Sequence, residues 1–449
     1  MTIHPQRYVN NKFRAFALIL VCTTIAFAQK SVGPLCISTA QKAAKWIEST
    51  GIKTDAGLVW PADPENPKTV NTSLYAGTPG PILFFLEEYR YTKSPAYLTL
   101  ARQGADALQA AAKKDASTGL YEGLAGTGFT LGEMYLATGD AKYRDGALQC
   151  VQWIVERAKS SGKGVQWDEG NDIIGGASGT GLFLLWADKN LKAPKARDTA
   201  IAAGRHLVEI GQPQGDGKTK WMMDDKFPRE MPNFSHGTAG IAYFLATLYR
   251  ETHEQEFLNA AKSGANYLIS IADKQGEICM VYHDNEHKDL YYLSWCHGPA
   301  GIARLFYRLY QVTNDPQWME WMKRSAKAMI ANDVPNKAVT PGEWDNISAC
   351  CGTTAQSEFF LDMYLVTHDQ QYLALARKGT DRLLSAATTD AKGARWVQAE
   401  TRVKPDIRIA QTGFMQGASG VGMWLLHFGE FSAGKKHTPM VFPDNPFEY

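Results

Sequence analysis

Three cysteines and two histidines of this 449-residue chain stand just ahead of glycine phrases: Ser235-His236-Gly237, Trp295-Cys296-His297-Gly298 and Cys350-Cys351-Gly352. A carboxylate, Asp172, lies four residues before Gly176 in the same kind of setting. Thiolates are soft ligands that suit zinc, and three protein ligands leave a fourth tetrahedral position open for a reactant. A helix start, where backbone N–H groups converge, also favours the thiolate form. Cys296, Cys350 and Cys351 are therefore candidate ligands of one Zn2+ per chain, with His297 as a spare. His236 has an ordinary pKa near working pH and can carry protons in both directions, with Asp172 orienting it or taking the first proton. The same residues also admit blander roles. Cys350-Cys351 can be a vicinal disulfide or an inert buried pair, His236 a structural histidine, and Asp172 a helix cap.

Whether these groups meet depends on what positions them. A Gly-x-x-Gly phrase recurs at Gly77, Gly123, Gly176, Gly237, Gly298, in the degenerate form Gly352-Thr-Thr-Ala355, and at Gly417, with starts 46 to 65 residues apart. Each phrase runs into about three turns of apolar residues, such as Ile241 to Leu248. Five units then share a second phrase opening on Thr92, Thr138, Thr252, Thr313 or Thr367 and ending on an aromatic five residues later. Thr followed by Ser, Asp or Glu is helix-stop and N-cap chemistry, so each unit reads as helix, turn, helix. The first helix of a unit is apolar on most sides and the second amphipathic, the pattern of an inner and an outer helix. Seven such units predict an all-α fold, an (α/α)7 toroid with seven inner and seven outer helices. A toroid brings the seven inner-helix starts to one mouth, which makes the candidate residues neighbours.

The four pieces together resemble the lanthionine synthetase C-like (LanC-like) cyclases: Asp172-Ile-Ile-Gly-Gly-Ala-Ser-Gly179, Ser235-His236-Gly237, Trp295-Cys296-His297-Gly298 and Cys350-Cys351-Gly352. The resemblance spans nearly all of the chain after its first residues and implies a seven-fold α/α toroid with zinc at its centre. It implies zinc on Cys296, Cys350 and Cys351, in the three-thiolate variant of the family's site, with acid and base roles falling on Asp172 and His236. Many members carry an arginine four residues before the first zinc cysteine, where this chain has Tyr292. The reaction implied is addition of a peptide or small-molecule thiol to the β-carbon of a dehydroamino acid, forming a thioether. Three thiolate ligands joined by a substrate thiolate leave the centre at net −2, which makes the bound sulfur more nucleophilic at some cost in acidification.

Composition narrows the setting. Lys and Arg number 47 against 46 Asp and Glu, and without the first 28 residues the balance is 44 against 46, so nothing favours nucleic acid as a partner. Arg7, Lys12 and Arg14 precede an apolar run from Ala15 to Ala28 that closes on Ala26-Phe27-Ala28, the pattern of a cleaved export signal. The expected organisation is a signal over 1–28 and one toroid domain over 29–449, exported, with no membrane span. Export sits uneasily with a cytosolic peptide cyclase and motivates two alternatives. One is a carbohydrate-active toroid in which Glu343 serves a zinc-bound cysteine nucleophile, although glycosidases need paired carboxylates. The other is a non-catalytic binding toroid with a fourth zinc ligand such as His297. Cys36, Cys150 and Cys279 have no evident role and allow at most one disulfide. The segment Trp221 to Pro232 reads as a long solvent loop or a substrate-facing one, and the end of the chain, Phe442 to Tyr449, carries no assignable chemistry.

Overall fold

The computed structural model describes residues 32–167, 170–224, 230–336, 339–340, 346–434 and 439–447. The expected signal over 1–28 and Glu343 lie outside them. Fourteen helices run through the described residues. The first, α1, covers 32–49. The others are α2 (Pro79–Thr92), α3 (Pro95–Ala112), α4 (Leu124–Thr138), α5 (Ala141–Arg157), α6 (Ala177–Leu191), α7 (Ala196–Ile210), α8 (Thr238–Thr252), α9 (Gln255–Ile271), α10 (Pro299–Thr313), α11 (Pro316–Ala331), α12 (Thr353–Thr367), α13 (Gln370–Ala386) and α14 (Ala418–Ser432).

The even-numbered helices form the inner ring and the odd-numbered ones pack outside them, as the repeat predicts. The second phrase makes the corner between the two. In each of five corners the Thr hydroxyl accepts from the amide two residues on, at 3.1 to 3.3 Å. Where that next residue is Asp, at 140, 315 and 369, its carboxylate caps the outer helix. The ring closes in a way the repeat does not announce. Among the described residues no outer helix follows the seventh inner helix, α14. Its place is filled by α1 from the other end, where Gly33 and Cys36 meet Gly429, while α14 also packs on α2.

Short antiparallel hairpins were not expected. Among the described residues they follow outer helices at 52–59, 159–166, 212–220 and 388–395. Each ends on a tryptophan whose indole N–H donates to a carbonyl near the end of the preceding outer helix: Trp60 to Ile47 (2.9 Å), Trp167 to Ile154 (3.0 Å), Trp221 to Leu207 (2.7 Å) and Trp396 to Leu383 (2.8 Å). The bond satisfies one of the orphan carbonyls at a helix C-terminus. A Gly-x-x-Trp phrase at 57, 164 and 393 marks three of these hairpins in the sequence.

The element that matters most to the site lies above the inner helices. Two residues before each Gly phrase, or three for the donor of the third unit, the chain passes a backbone hydrogen bond to the next unit: Tyr75 to Tyr121 (2.9 Å), Tyr121 to Ile174 (2.9 Å), Ile173 to Ser235 (3.2 Å), Ser235 to Cys296 (3.0 Å), Cys296 to Cys350 (3.2 Å), Cys350 to Met415 (3.0 Å), and Met415 back to Tyr75 (2.8 Å). These bonds close a belt around the mouth. The glycines let each belt loop fold back onto its own helix. A Cβ on Gly301 would lie 2.0 Å from the Trp295 carbonyl oxygen, and one on Gly181 would meet the Phe244 ring at 2.2 Å.

Gly301→Ala is therefore expected to lower stability by about 1–3 kcal/mol, the usual range for overpacking. Thermal unfolding of the variant against wild type checks this, and an unchanged midpoint counts against the close approach.

Candidate thiol and metal centre

From each unit at least one of the two residues directly before the Gly phrase lines a single cleft of about 510 Å³ at the belt. The structure brings the sequence-selected residues of the thiol and His–Asp site there, Glu343 lying outside the described residues. Asp172, His236, Tyr292, Cys296, His297, Cys350 and Cys351 share its wall.

The three sulfurs converge. Cys296 Sγ lies 3.1 Å from Cys351 Sγ, and Cys351 Sγ lies 3.3 Å from Cys350 Sγ. All three cysteines are buried and unbridged, so the vicinal disulfide is not formed. The backbone explains the convergence. Cys296 and Cys350 are adjacent belt members, Ser294 Oγ donates to the Cys350 carbonyl (2.7 Å), and Ser348 Oγ accepts from the Cys351 amide (3.1 Å). Burial pushes a thiol pKa up, yet Cys296 is held well below the ordinary thiol range, because sulfur hydrogen bonds from Cys350 and Cys351 and the neighbouring His297 favour its thiolate. Cys350 is pushed well above that range by burial and by Cys296, and Cys351 first by its contact with Cys296. The arrangement carries one negative charge readily and resists a second or third.

His297 does not join the cluster. The donor atoms that all lie within 4.8 Å of one another are the three sulfurs. The His297 ring stacks on His283 at 4.2 Å, and both of its nitrogens are without a hydrogen-bond partner. His283 is fixed by Asp284 (2.7 Å), and burial together with His297 holds its pKa down to about 4.

Asp172 and His236 form a dyad. One carboxylate oxygen of Asp172 accepts from the amides of Gly175 (2.9 Å) and Gly176 (3.0 Å) in the loop that enters α6, while the other meets His236 Nδ1 at 2.6 Å. The expected helix cap is therefore not made: the carboxylate orders the loop before α6 and holds His236, but no side chain caps the helix itself. Burial opposes the charged imidazole of His236, but the Asp172 carboxylate outweighs it and raises the pKa above the ordinary 6.5.

Residues that the sequence reading passed over complete the cleft. Tyr75 donates to Cys350 Sγ (3.4 Å) and accepts from Gln416 Nε2 (2.8 Å), and Gln416 also approaches Cys351 Sγ (3.9 Å). Glu122 lines the wall near Asp172, its pKa raised by burial and then by that carboxylate. All three occupy the same repeat positions as the cysteines and histidines, so the first, second and seventh units held the signal. Arg402 is the one lysine or arginine lining the cleft among its described residues, and it carries no repeat signal. It sits on the 398–409 hairpin, beside Tyr292. That hairpin is tied to the Cys350 loop through Asn346 to the Ala399 carbonyl (3.1 Å) and the Ile347 amide to Gln398 (2.8 Å). Val403 and Ile407 project from it, 74% and 59% exposed. Met223 shows that the segment after Trp221 does face the cleft.

The remaining thiols are separate. Cys36, Cys150 and Cys279 are buried and unpaired, each pushed by burial to about 12.

The family model described as Lanthionine synthetase C-like protein matches residues 68–433. A glutathione S-transferase LANCL1 from Danio rerio is 20% identical over 235 residues, 50% of this chain, which spans about half (54%) of that relative's length. Among solved structures, nisin cyclase superposes with a TM-score of 0.60 at 16% identity, covering 87% of this chain and 92% of its own. An unsaturated glucuronyl hydrolase specific for heparin superposes at 0.52 and 12% identity, over 90% of this chain and all (100%) of that one.

A His236 pKa raised by a carboxylate stabilises the fold fully below about pH 6.5, and that contribution disappears as pH rises through the raised value. In chelator-treated protein, NMR titration of the His236 ring should give a midpoint above 6.5 in wild type and a lower one in Asp172→Asn. A higher midpoint in the variant contradicts the dyad.

Proposed function

We propose, on the premise that the chain belongs to the lanthionine synthetase C-like family, that it is an exported zinc enzyme adding a thiol to a dehydroamino acid to form a thioether. One observation carries this reading: three unbridged buried thiols and a His–Asp dyad open into one cleft.

The donor set fits zinc. Three sulfurs at 3.1 to 3.3 Å contacts need to open only slightly to surround an ion with Zn–S bonds of about 2.3 Å. A cluster that by itself stabilises a single thiolate also calls for a cation if all three are to ionise. When bound by Cys296, Cys350 and Cys351, zinc supplies a Lewis-acid position at which a substrate thiol is acidified.

The protein groups then have separate tasks. Asp172 holds Nδ1 of His236, which leaves Nε2 to receive the thiol proton. The sulfur lone pair forms the C–S bond to the β-carbon as the C=C π pair moves toward the α-carbon and its carbonyl. Arg402 faces the developing enolate, a charge that Tyr292 cannot supply. The proton held on His236 passes to the α-carbon, so that S–H has added across C=C. Val403 and Ile407 offer an apolar rim to peptide side chains.

The thiol comes from a peptide or from a small molecule. The first is the substrate type implied by nisin cyclase, and the second by a relative named for glutathione transfer. Glu122 near Asp172, and Glu400 elsewhere on the cleft wall, favour one second reading, a sugar hydrolase, because the cleft holds more than the one carboxylate expected.

The protein purified from an export-competent host should lack residues 1–28 and contain about one zinc per chain, lost in Cys350→Ala. It should add thiols to dehydroalanine peptides, and His236→Asn should slow turnover by about 10²–10⁴. Thiol addition that survives Cys350→Ala, or sugar hydrolysis without thiol addition, would sink the proposal.

A further inference from the structure

The family match ends at residue 433, and the described segment beyond it, 439–447, enters the ring beneath the cleft. Aromatic contacts anchor it at two places. Phe442 stacks on Phe414 at 4.5 Å and tilts against Phe129 at 5.2 Å, and Phe447 stacks on Tyr307 at 4.7 Å. Gln311 of α10 adds a hydrogen bond to the Pro446 carbonyl (3.1 Å). The segment does not simply fill the lumen, since cavities of about 190 and 350 Å³ flank it.

Between the anchors, Asp444 is 0% exposed. One of its carboxylate oxygens accepts from the Tyr121 hydroxyl (3.1 Å). The other accepts from the Trp295 indole N–H (3.2 Å) and from Arg304 (3.0 Å), which also reaches the Asp444 backbone carbonyl (3.1 Å). A carboxylate so buried must be paired and hydrogen-bonded, and here its partners are parts of the site's floor. Tyr121 is the belt residue of the second unit, and its ring meets Trp295 edge-on at 5.3 Å. Trp295 immediately precedes Cys296.

We propose that Asp444 is a positioning residue for the thiol cluster: from beneath the belt it fixes Trp295, and through it Cys296, so that a segment outside the family-matched region is a working part of the site. This rests on the reading of the cluster as a metal centre. The belt holds the Cys296 loop sideways, and Asp444 holds it from the lumen. Groups that orient metal ligands without touching the metal commonly change affinity by about 10–100-fold.

The test uses the full mature chain as wild type, Asp444→Ala, Asp444→Asn and Trp295→Phe, read by two measurements. One is Co2+ titration followed by thiolate-to-cobalt absorbance. The other is hydrogen–deuterium exchange of residues 293–298 against α5 as internal control. Asp444→Ala is expected to weaken Co2+ binding by about tenfold or more. It should speed exchange at 293–298 with α5 unchanged, and Asp444→Asn, which keeps one acceptor oxygen for the indole and Arg304 and turns its NH2 donor to the phenol oxygen, should recover part of both. A folded Asp444→Ala protein with wild-type Co2+ affinity and wild-type exchange at 293–298 overturns the proposal. Where that variant fails to fold, Trp295→Phe, which removes the indole donor along with part of the ring, must show the local increase in exchange, and unchanged exchange there overturns it equally. If wild type gives no cobalt–thiolate absorbance, the metal reading falls, and the exchange comparison still decides the role of Asp444.

Discussion

A closed belt of backbone hydrogen bonds governs this molecule. Each of seven loops, two or three residues before its Gly phrase, passes one bond to its neighbour until Met415 returns to Tyr75. Loops at the end of a helical ring would otherwise be free to splay, since nothing in α-helix packing ties one inner-helix start to the next. The belt fixes them at strand-like distances, and side chains at those positions have no choice but to share one cleft. The thiol cluster follows from this constraint: Cys296 and Cys350 are consecutive belt residues, and Cys351 is one step beyond.

Such crowding has an electrostatic consequence. Three thiols in contact cannot all ionise unaided, so the first thiolate, favoured at Cys296 by its sulfur neighbours, opposes ionisation of the other two. The same confinement places Asp172 and Glu122 near each other, and it is the pairing with His236 that makes one of these carboxylates compatible with burial. Below the belt, Arg304 and Asp444 solve the parallel problem for the lumen by neutralising each other while hydrogen-bonding to the loop floor. In both places a buried charge is paired, and the pair is tied to a belt loop.

The repeat made most of this legible. Glycine phrases fix the inner-helix starts, and the Thr corner fixes the turns. The positions directly before the glycines pick out His236, Cys296, Cys350 and Cys351, with Asp172 a little further ahead of its own phrase, because local chain geometry is nearly the same in every unit. The same rule would have reached Tyr75, Glu122 and Gln416, whose residue types drew no attention by themselves. His297 shows the limit of the rule: it occupies the equivalent position in its unit, yet its ring turns to stack on His283 instead of joining the sulfurs.

Sequence alone therefore determined the all-α toroid, its seven-fold order and the residues available for chemistry, since these depend on periodicity and on neighbours a few positions apart. Tertiary structure alone decided which units touch, with α1 closing the ring on α14 and Tyr75 reaching Cys350 from the far end of the chain. It also placed Arg402 in the cleft and drove residues 439–447 into the lumen. Those outcomes rest on ring closure and on the pairing of buried charge. Both are long-range conditions, and they leave no periodic trace in a linear chain.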